Sequence, residues 1–252
     1  MKKRSNYSLL APYYDLFINW AARLEKEIPF ILKSCGKLEK GSRALDIGCG
    51  TGYHLRALQQ TGFEVQGTEP SRALRERAVR NLPGCIVSPV TMERLASFAR
   101  THGPWDLVTC LGNTLPHLPD RLLPEFCQAL YHSLKPEAVA VIHVLGYEKI
   151  LAERPDKLPA KTIQASGTTY RFERSYEYKN NHLVFSIEIW KNDVQVGVDR
   201  EVLYPVTAPM LLNAASSAGF KQIRFYGAFD HEVEYRPESD NLVALLRKST
   251  AI

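Results

Sequence analysis

The sequence predicts an α/β fold: a Rossmann-like, seven-stranded, mostly parallel sheet with helices on both faces, plus an antiparallel β-meander insertion. Three observations predict it. Short apolar runs at 43–47, 63–68, 105–110 and 139–144 alternate with segments of helical periodicity. The first run breaks into three alternate glycines, Gly48, Gly50 and Gly52, as a strand does when it turns tightly into a helix. After Tyr147 the alternation stops, and strand-like stretches follow one another, separated by Asn180-Asn181 and Asn192-Asp193.

The elements follow in order. From about Leu16 to Lys37, Phe17, Trp20, Leu24, Ile28, Ile31 and Leu32 fall on one helical stripe, with Pro29 placed to bend or break it. A strand at Arg43–Ile47 leads to a helix over Tyr53–Thr61, closed by Gly62, and then to a strand at Phe63–Thr68. Ser71 is placed to cap a helix that Pro83-Gly84 ends. A short strand at Ile86-Val87, a helix from Met92 to Arg100, a strand at Trp105–Cys110, a helix around Glu125–Leu134 and a strand at Val139–Val144 continue the β-α-β rhythm. Strands at Thr169–Tyr178, Leu183–Lys191 and Val194–Tyr204 form the meander, with Pro155 and Pro159 in the connection before them. Thr207 caps a helix ending at Gly219, and strands at Phe220–Tyr226 and Leu242–Leu246 close the chain. One domain is expected over 1–252, with a helical N-terminal part (1–40), a core (41–150), an insertion (155–206) and a final helix and strands (207–252).

Composition narrows the function classes. With 45% apolar residues, no apolar run is long enough to cross a bilayer, and the basic start is followed by Pro12, Asp15 and Asn19 rather than a signal sequence. A cytoplasmic chain with no membrane partner is the expectation. Five scattered cysteines suggest no disulfide framework, and no metal is expected, the cluster Asp230, His231, Glu232 and Glu234 reading as a solvated loop. Net charge is +5, yet Arg72, Arg75, Arg77 and Arg80 read as a solvated helix face, and nucleic acid is not the expected partner. A homo-oligomer stays open.

The chemistry sits in the glycine turn. Gly48, Gly50 and Gly52 let a ligand approach the backbone, and Glu69, at the end of the next strand, can chelate a ribose. A dinucleotide turn is spaced GxGxxG, whereas this one is GxGxG with Tyr53 following. In sheets of this kind ligands bind at the carboxyl ends of the strands, where Gly48, Glu69 and the loop after Cys110 all fall.

The segment ALDIGCGTG at 44–52, with Glu69, resembles the cofactor motif of the class I S-adenosylmethionine-dependent methyltransferases. The resemblance implies that Gly48, Cys49, Gly50 and Gly52 lie against S-adenosyl-L-methionine, that Asp46 helps hold its methionine end, and that Glu69, followed by Pro70, takes both ribose hydroxyls. The product would be S-adenosyl-L-homocysteine. Three further stretches, YYDLFINWAARLEKEIPF at 13–30, CLGNTLPHL at 110–118 and GYEKIL at 146–151, are similar to small-molecule methyltransferases related to glycine and sarcosine N-methyltransferases. That similarity implies that the N-terminal helical part covers the cofactor. Tyr14 and Trp20 would lie over it, and Arg23 would pair with its carboxylate, a bidentate geometry that suits a guanidinium. Met92 and Glu93 would lie at the adenine, and the backbone of Leu111, Gly112 and Asn113 would face the amino group. Asn113 and His117 would line the methyl-transfer cavity. An exposed helix charge for Arg23, a helix-start acid for Glu93 and an ordinary loop histidine for His117 remain the alternatives.

One departure bears on the acceptor. Glycine methyltransferases carry an arginine and an asparagine where this chain has Leu145 and Gly146, so the cation for an amino-acid carboxylate is missing. A neutral, aromatic or cationic small molecule is expected instead, with Tyr147, His117, Tyr170 and Arg171 as candidate walls. In-line displacement at a sulfonium asks an enzyme chiefly to position and dehydrate, effects worth about 7 to 11 kcal/mol in favourable cases. An amine that arrives deprotonated needs no base, whereas a hydroxyl does; His117 is the first candidate base and Tyr147 the second. Nitrogen and oxygen acceptors both stay open. The rival readings are a silent cofactor-binding protein, an RNA or protein methyltransferase, and a nicotinamide-dependent oxidoreductase.

Overall fold

The computed structural model describes residues 7–36, 39 and 41–249; the basic start, Lys37, Leu38, Lys40 and the last three residues lie outside it. In chain order the helices are α1 (Tyr14–Phe17), α2 (Trp20–Cys35), α3 (Tyr53–Gln60), α4 (Arg72–Asn81), α5 (Leu95–His102), α6 (Leu123–Ser133), α7 (Tyr147–Glu153) and α8 (Ala208–Ala218). The strands are β1 (Arg43–Ile47), β2 (Glu64–Thr68), β3 (Ile86–Ser88), β4 (Trp105–Cys110), β5 (Leu134–Leu145), β6 (Lys157–Ala165), β7 (Thr168–Tyr178), β8 (Leu183–Lys191), β9 (Val194–Leu203), β10 (Gln222–Tyr226) and β11 (Asn241–Arg247). The main sheet has seven strands in the order β10-β11-β5-β4-β1-β2-β3. It is parallel except for β11, which runs against both β10 and β5.

Alternation along the central strands explains the layers. Ala44, Leu107, Val139 and Val141 face one side and pack with Ile28, Phe30 and Ile31 of α2 and Leu58 of α3. Leu45, Val108, Ala140 and Ile142 face the other and pack with Phe98 of α5, Phe126 and Leu130 of α6 and Leu211 of α8. Successive side chains of a strand point to opposite faces, so strands apolar at both parities need helices on both sides.

The sheet order reverses between β1 and β4, whose shared edge pairs Asp46 with Thr109. The turns after β1, β2 and β4 therefore converge at one end. Gly48 sets how closely: a Cβ there would lie 2.4 Å from the Thr114 methyl, and its φ is +67°.

Several details differ from the sequence expectations. The first helix is broken, because Ile18 is extended and Asn19 caps a new start by accepting from the Ala22 amide at 3.2 Å, while Pro29 lies inside α2 without ending it. Ser71 and Thr207 sit at the starts of α4 and α8, but neither side chain makes a cap bond, and the Ser71 hydroxyl is buried without one. The meander has four antiparallel strands, β6-β7-β8-β9, rather than three. β6 contains Pro159, is largely solvent-facing, and pairs with β7 alone across a register shift, as an edge strand with a proline must. The arginines of α4 are not all solvated: Arg75 donates to the Glu69 carbonyl at 2.7 Å and Arg77 pairs with Asp15 at 2.9 Å.

Candidate active site

The glycine turn is closed by the acid that follows β2. Glu69 accepts from the Gly50 amide at 2.9 Å and from the Ser71 amide at 2.7 Å, one bond to each carboxylate oxygen. It is buried, and burial pushes its pKa up to about 7 although those two amides and Arg75 favour the charged form. Asp46, also buried, accepts from the Thr109 hydroxyl at 2.7 Å; burial raises it too, opposed by the charge of His54 and by that hydrogen bond. Cys49 is a buried thiol whose amide donates to the Thr68 carbonyl at 2.9 Å, splicing the turn to β2. Gly52 begins α3 at φ +82°, where a Cβ would meet the Ala78 backbone at 3.2 Å. Pro70 is exposed beside this turn.

The N-terminal elements fold over it. A Cβ on Gly50 would lie 3.7 Å from the Tyr14 ring, and Trp20 stacks on Tyr53 at 4.7 Å and 3°. Asp15, which the sequence reading missed, ties the two together: its Oδ1 accepts from the Thr51 hydroxyl at 2.6 Å and from the Trp20 indole at 3.1 Å, and its Oδ2 takes Arg77. Arg23 donates from Nε to Glu27 at 2.7 Å, and both its Nη atoms lie 3.4 Å from where a Cβ of Gly112 would be. Its Nη2 is buried with no partner among the described residues. The alternative of an exposed helix charge does not describe this guanidinium.

The β4 turn supplies the opposite wall. Leu111 is buried, Gly112 and Asn113 have φ of +69° and +66°, and the Gly112 amide donates to His143 Nδ1 at 3.2 Å. His143 must then be neutral at Nδ1 and donate from Nε2 to Asn241, at 3.0 Å, and burial lowers its pKa to about 4. Asn113 bridges, accepting from the Leu145 amide at 3.1 Å and donating to the Tyr147 hydroxyl at 3.0 Å. His117 Nε2 lies 3.1 Å from the Tyr7 hydroxyl, and its Nδ1 is 3.8 Å from Glu201. The Tyr7 amide donates to Glu201 at 3.2 Å, and those of Leu9 and Leu10 donate to Asp199 at 3.1 and 2.7 Å. Asp199 and Glu201 are buried on β9 while Val194, Val196 and Val202 of the same strand are exposed, an inversion of the usual burial that sequence alone does not reveal.

Two sequence candidates change. Tyr147 has no exposed surface, and burial drives its phenol far above the ordinary range, so it stays protonated and cannot serve as a base near neutral pH. Arg171 is on the outer face of the meander, stacked on Trp190 at 4.7 Å and paired with Glu173, because Phe172 takes the inner position opposite Ile189. Tyr170 is on the inner side, 5.7 Å from Tyr13. Met92 packs against the core beyond β3, and Glu93 is exposed in the same turn. Among the described residues no His, Cys, Asp and Glu groups cluster as a metal site, and no helix is long and apolar enough to cross a membrane.

Glycines that a Cβ would block, a buried acid at the second strand end and a guanidinium whose buried Nη2 has no partner among the described residues fit the parts of an adenosyl amino acid: close backbone approach, a diol and a carboxylate. The family described as methyltransferase domain matches residues 18–223. The chain belongs to this family. It is a class I methyltransferase that uses S-adenosylmethionine. The methyltransferase is 31% identical to a glycine/sarcosine N-methyltransferase of Aphanothece halophytica, over 93% of this chain and 86% of that one. Its fold is that of DesVI from Streptomyces venezuelae, with a TM-score of 0.77 at 18% identity over 95% and 98% of the two chains. It is also that of CalS10, an amino pentose methyltransferase from Micromonospora echinaspora solved with S-adenosylmethionine bound, at a TM-score of 0.72, 20% identity, and 94% and 95% coverage.

Proposed function

We propose that this methyltransferase methylates the amine of a small molecule that carries no carboxylate the enzyme must bind, with His117 facing the acceptor. The observation that carries the reading is the chain Tyr7, His117, Glu201: an imidazole between a phenol at 3.1 Å and a buried carboxylate at 3.8 Å, beside the β4 turn. An imidazole so flanked can take a proton from an arriving ammonium through the Tyr7 hydroxyl, which accepts that proton as it passes its own to Nε2, while the carboxylate stabilises the imidazolium. Nitrogen rather than oxygen is favoured by the Aphanothece halophytica relative, whose name specifies N-methylation of glycine and sarcosine.

Glycine itself is disfavoured by the end of β5. Leu145 packs against the apolar core, and a Cβ at Gly146 would lie 1.8 Å from the Ser239 carbonyl oxygen. No side chain fits at 146, and no cation stands at 145. Aromatic groups line the cover instead: Tyr7, Tyr13, Tyr14 and Tyr170 pack around Leu10 and Phe172, a surface suited to an apolar or cationic body.

The cofactor, when bound, supplies the methyl group from its sulfonium. In this reading Glu69 accepts the ribose hydroxyls, Gly48, Gly50 and Gly112 admit the backbone approach, and Arg23 takes the carboxylate. Asp46 steadies the methionine end, Tyr14 and Trp20 exclude water, and Met92 and Glu93 border the adenine. Asn113 fixes the β4 turn through Leu145 and Tyr147. Residues 155–206 wall the acceptor side. The test is S-adenosylhomocysteine release with a panel of acceptors: an amino sugar, an aromatic amine and a diamine against glycine and sarcosine. Turnover of the first group above the second supports the reading, and turnover of glycine above all of them contradicts it.

A further inference from the structure

Arg23 does not stand alone beside Gly112. Its Nε is held by Glu27 Oε1 at 2.7 Å, one turn along α2, and the other oxygen of Glu27 is held by Nε2 of His54 on α3. Both Glu27 and His54 are buried, at 4% exposure each, which is rare for a carboxylate and an imidazole without a task or a tight pairing. Burial works to raise the Glu27 pKa, but the His54 bond and the charges of His54 and Arg23 outweigh it and hold the pKa at about 2. Glu27 is therefore an anion that only accepts, and His54 must donate from Nε2. The Trp20 and His54 rings meet nearly perpendicular, 5.4 Å apart at 84°, which restrains the imidazole plane.

The consequence lies at the far end of the guanidinium. With Nε taken from the side by Glu27, the two Nη atoms are left as a fork, both beside the bare Gly112 and with Nη2 buried and unpartnered. A fork presented in this way matches a carboxylate end-on, through two parallel hydrogen bonds. If the Nε bond were lost, the long side chain would be free to turn toward Trp20, over which its carbon already lies at 5.5 Å.

We propose that Glu27 and His54 are a positioning pair that aims Arg23 at the carboxylate of the adenosyl cofactor. The proposal rests on the reading of Arg23 given above, and goes beyond it by assigning recognition of that carboxylate to a buried relay across two helices. Glu27 and His54 are both buried, and Glu27 commits its two oxygens to Arg23 and His54. They act through Arg23.

The experiment compares two probes by calorimetry on the full chain: S-adenosylmethionine and its decarboxylated form, which keeps the nucleoside, the sulfonium and the amine. The wild type is expected to prefer the carboxylated probe by roughly 10- to 100-fold, the range for a charged hydrogen-bonded pair. Arg23→Ala should abolish that preference. Glu27→Leu should reduce it toward one while leaving the affinity for the decarboxylated probe within about twofold. If Arg23→Ala keeps the preference, the reading of Arg23 fails. If Arg23→Ala loses it and Glu27→Leu keeps it, or loses affinity for both probes alike, the positioning pair is overturned while Arg23 stands. Should Glu27→Leu not fold, His54→Leu carries the same comparison. His54→Gln, whose amide nitrogen can still donate, is expected to retain the preference.

Discussion

The Gly50 amide donates to the Glu69 carboxylate across 2.9 Å, so the turn after β1 is held by the acid at the end of β2. One residue thus shapes the glycine turn and presents acceptor oxygens beside it. The arrangement fixes how pH acts on the site.

Glu69 titrates near pH 7 in the folded chain, against 4.5 in its ordinary state. The folded state keeps a proton that the unfolded chain releases, so without cofactor this group's contribution to stability is full below pH 4.5 and is lost as pH rises through about 7. The loss amounts to about 3 kcal/mol. Ribose hydroxyls donate to the ionised carboxylate, so cofactor affinity should rise between about pH 6 and pH 8, with proton release on binding at the lower pH. Calorimetry in buffers of different ionisation enthalpy reads that proton directly; equal affinity and no release across the range would contradict it.

If His117 faces the acceptor as proposed, His117→Ala and Glu201→Gln should lower kcat by roughly 10²- to 10⁴-fold and by a smaller factor respectively, without weakening cofactor binding. Steady-state kinetics paired with calorimetry separates the two effects. Loss of cofactor affinity in His117→Ala would place His117 elsewhere.

Asp15 is the latch between the N-terminal cover and the glycine turn through Thr51, Trp20 and Arg77. Asp15→Ala should speed cofactor dissociation and expose the segment before α2 to limited proteolysis, leaving the core sheet folded. Unchanged dissociation kinetics would show that the cover is held by its aromatic packing alone.

Gly146→Ala should destabilise the fold by about 3 kcal/mol or more, because the new methyl meets backbone rather than a movable side chain. Thermal unfolding measures it. A melting temperature equal to that of the wild type would mean that the chain can make room at 146, and with it the side chain that glycine methyltransferases carry.

The fold was legible because its signals are local. The apolar runs, the glycines and the Asn192-Asp193 turn, both residues at positive φ, depend on neighbours in sequence. β6 was not, since an edge strand carrying Pro159 has neither the apolar pattern nor the uninterrupted amides that mark one. Within the site, the residues of the β1, β2 and β4 turns could be read from their spacing and from the family resemblance. Asp15, His143 and the Tyr7 contact to His117 could not, because each is a meeting of elements far apart in the chain. Arg171 shows a different limit: strand parity decides which face a side chain takes, and parity follows from pairing Phe172 with Ile189, which sequence alone does not reveal.

The most direct measurement is a calorimetric titration of the wild type and Glu69→Ala with S-adenosylhomocysteine at about pH 8. One site per chain is expected in the wild type, with affinity falling roughly a hundredfold in the variant as two charge-assisted hydrogen bonds are lost. Equal affinity in the two proteins would contradict the placement of the cofactor ribose at the end of β2.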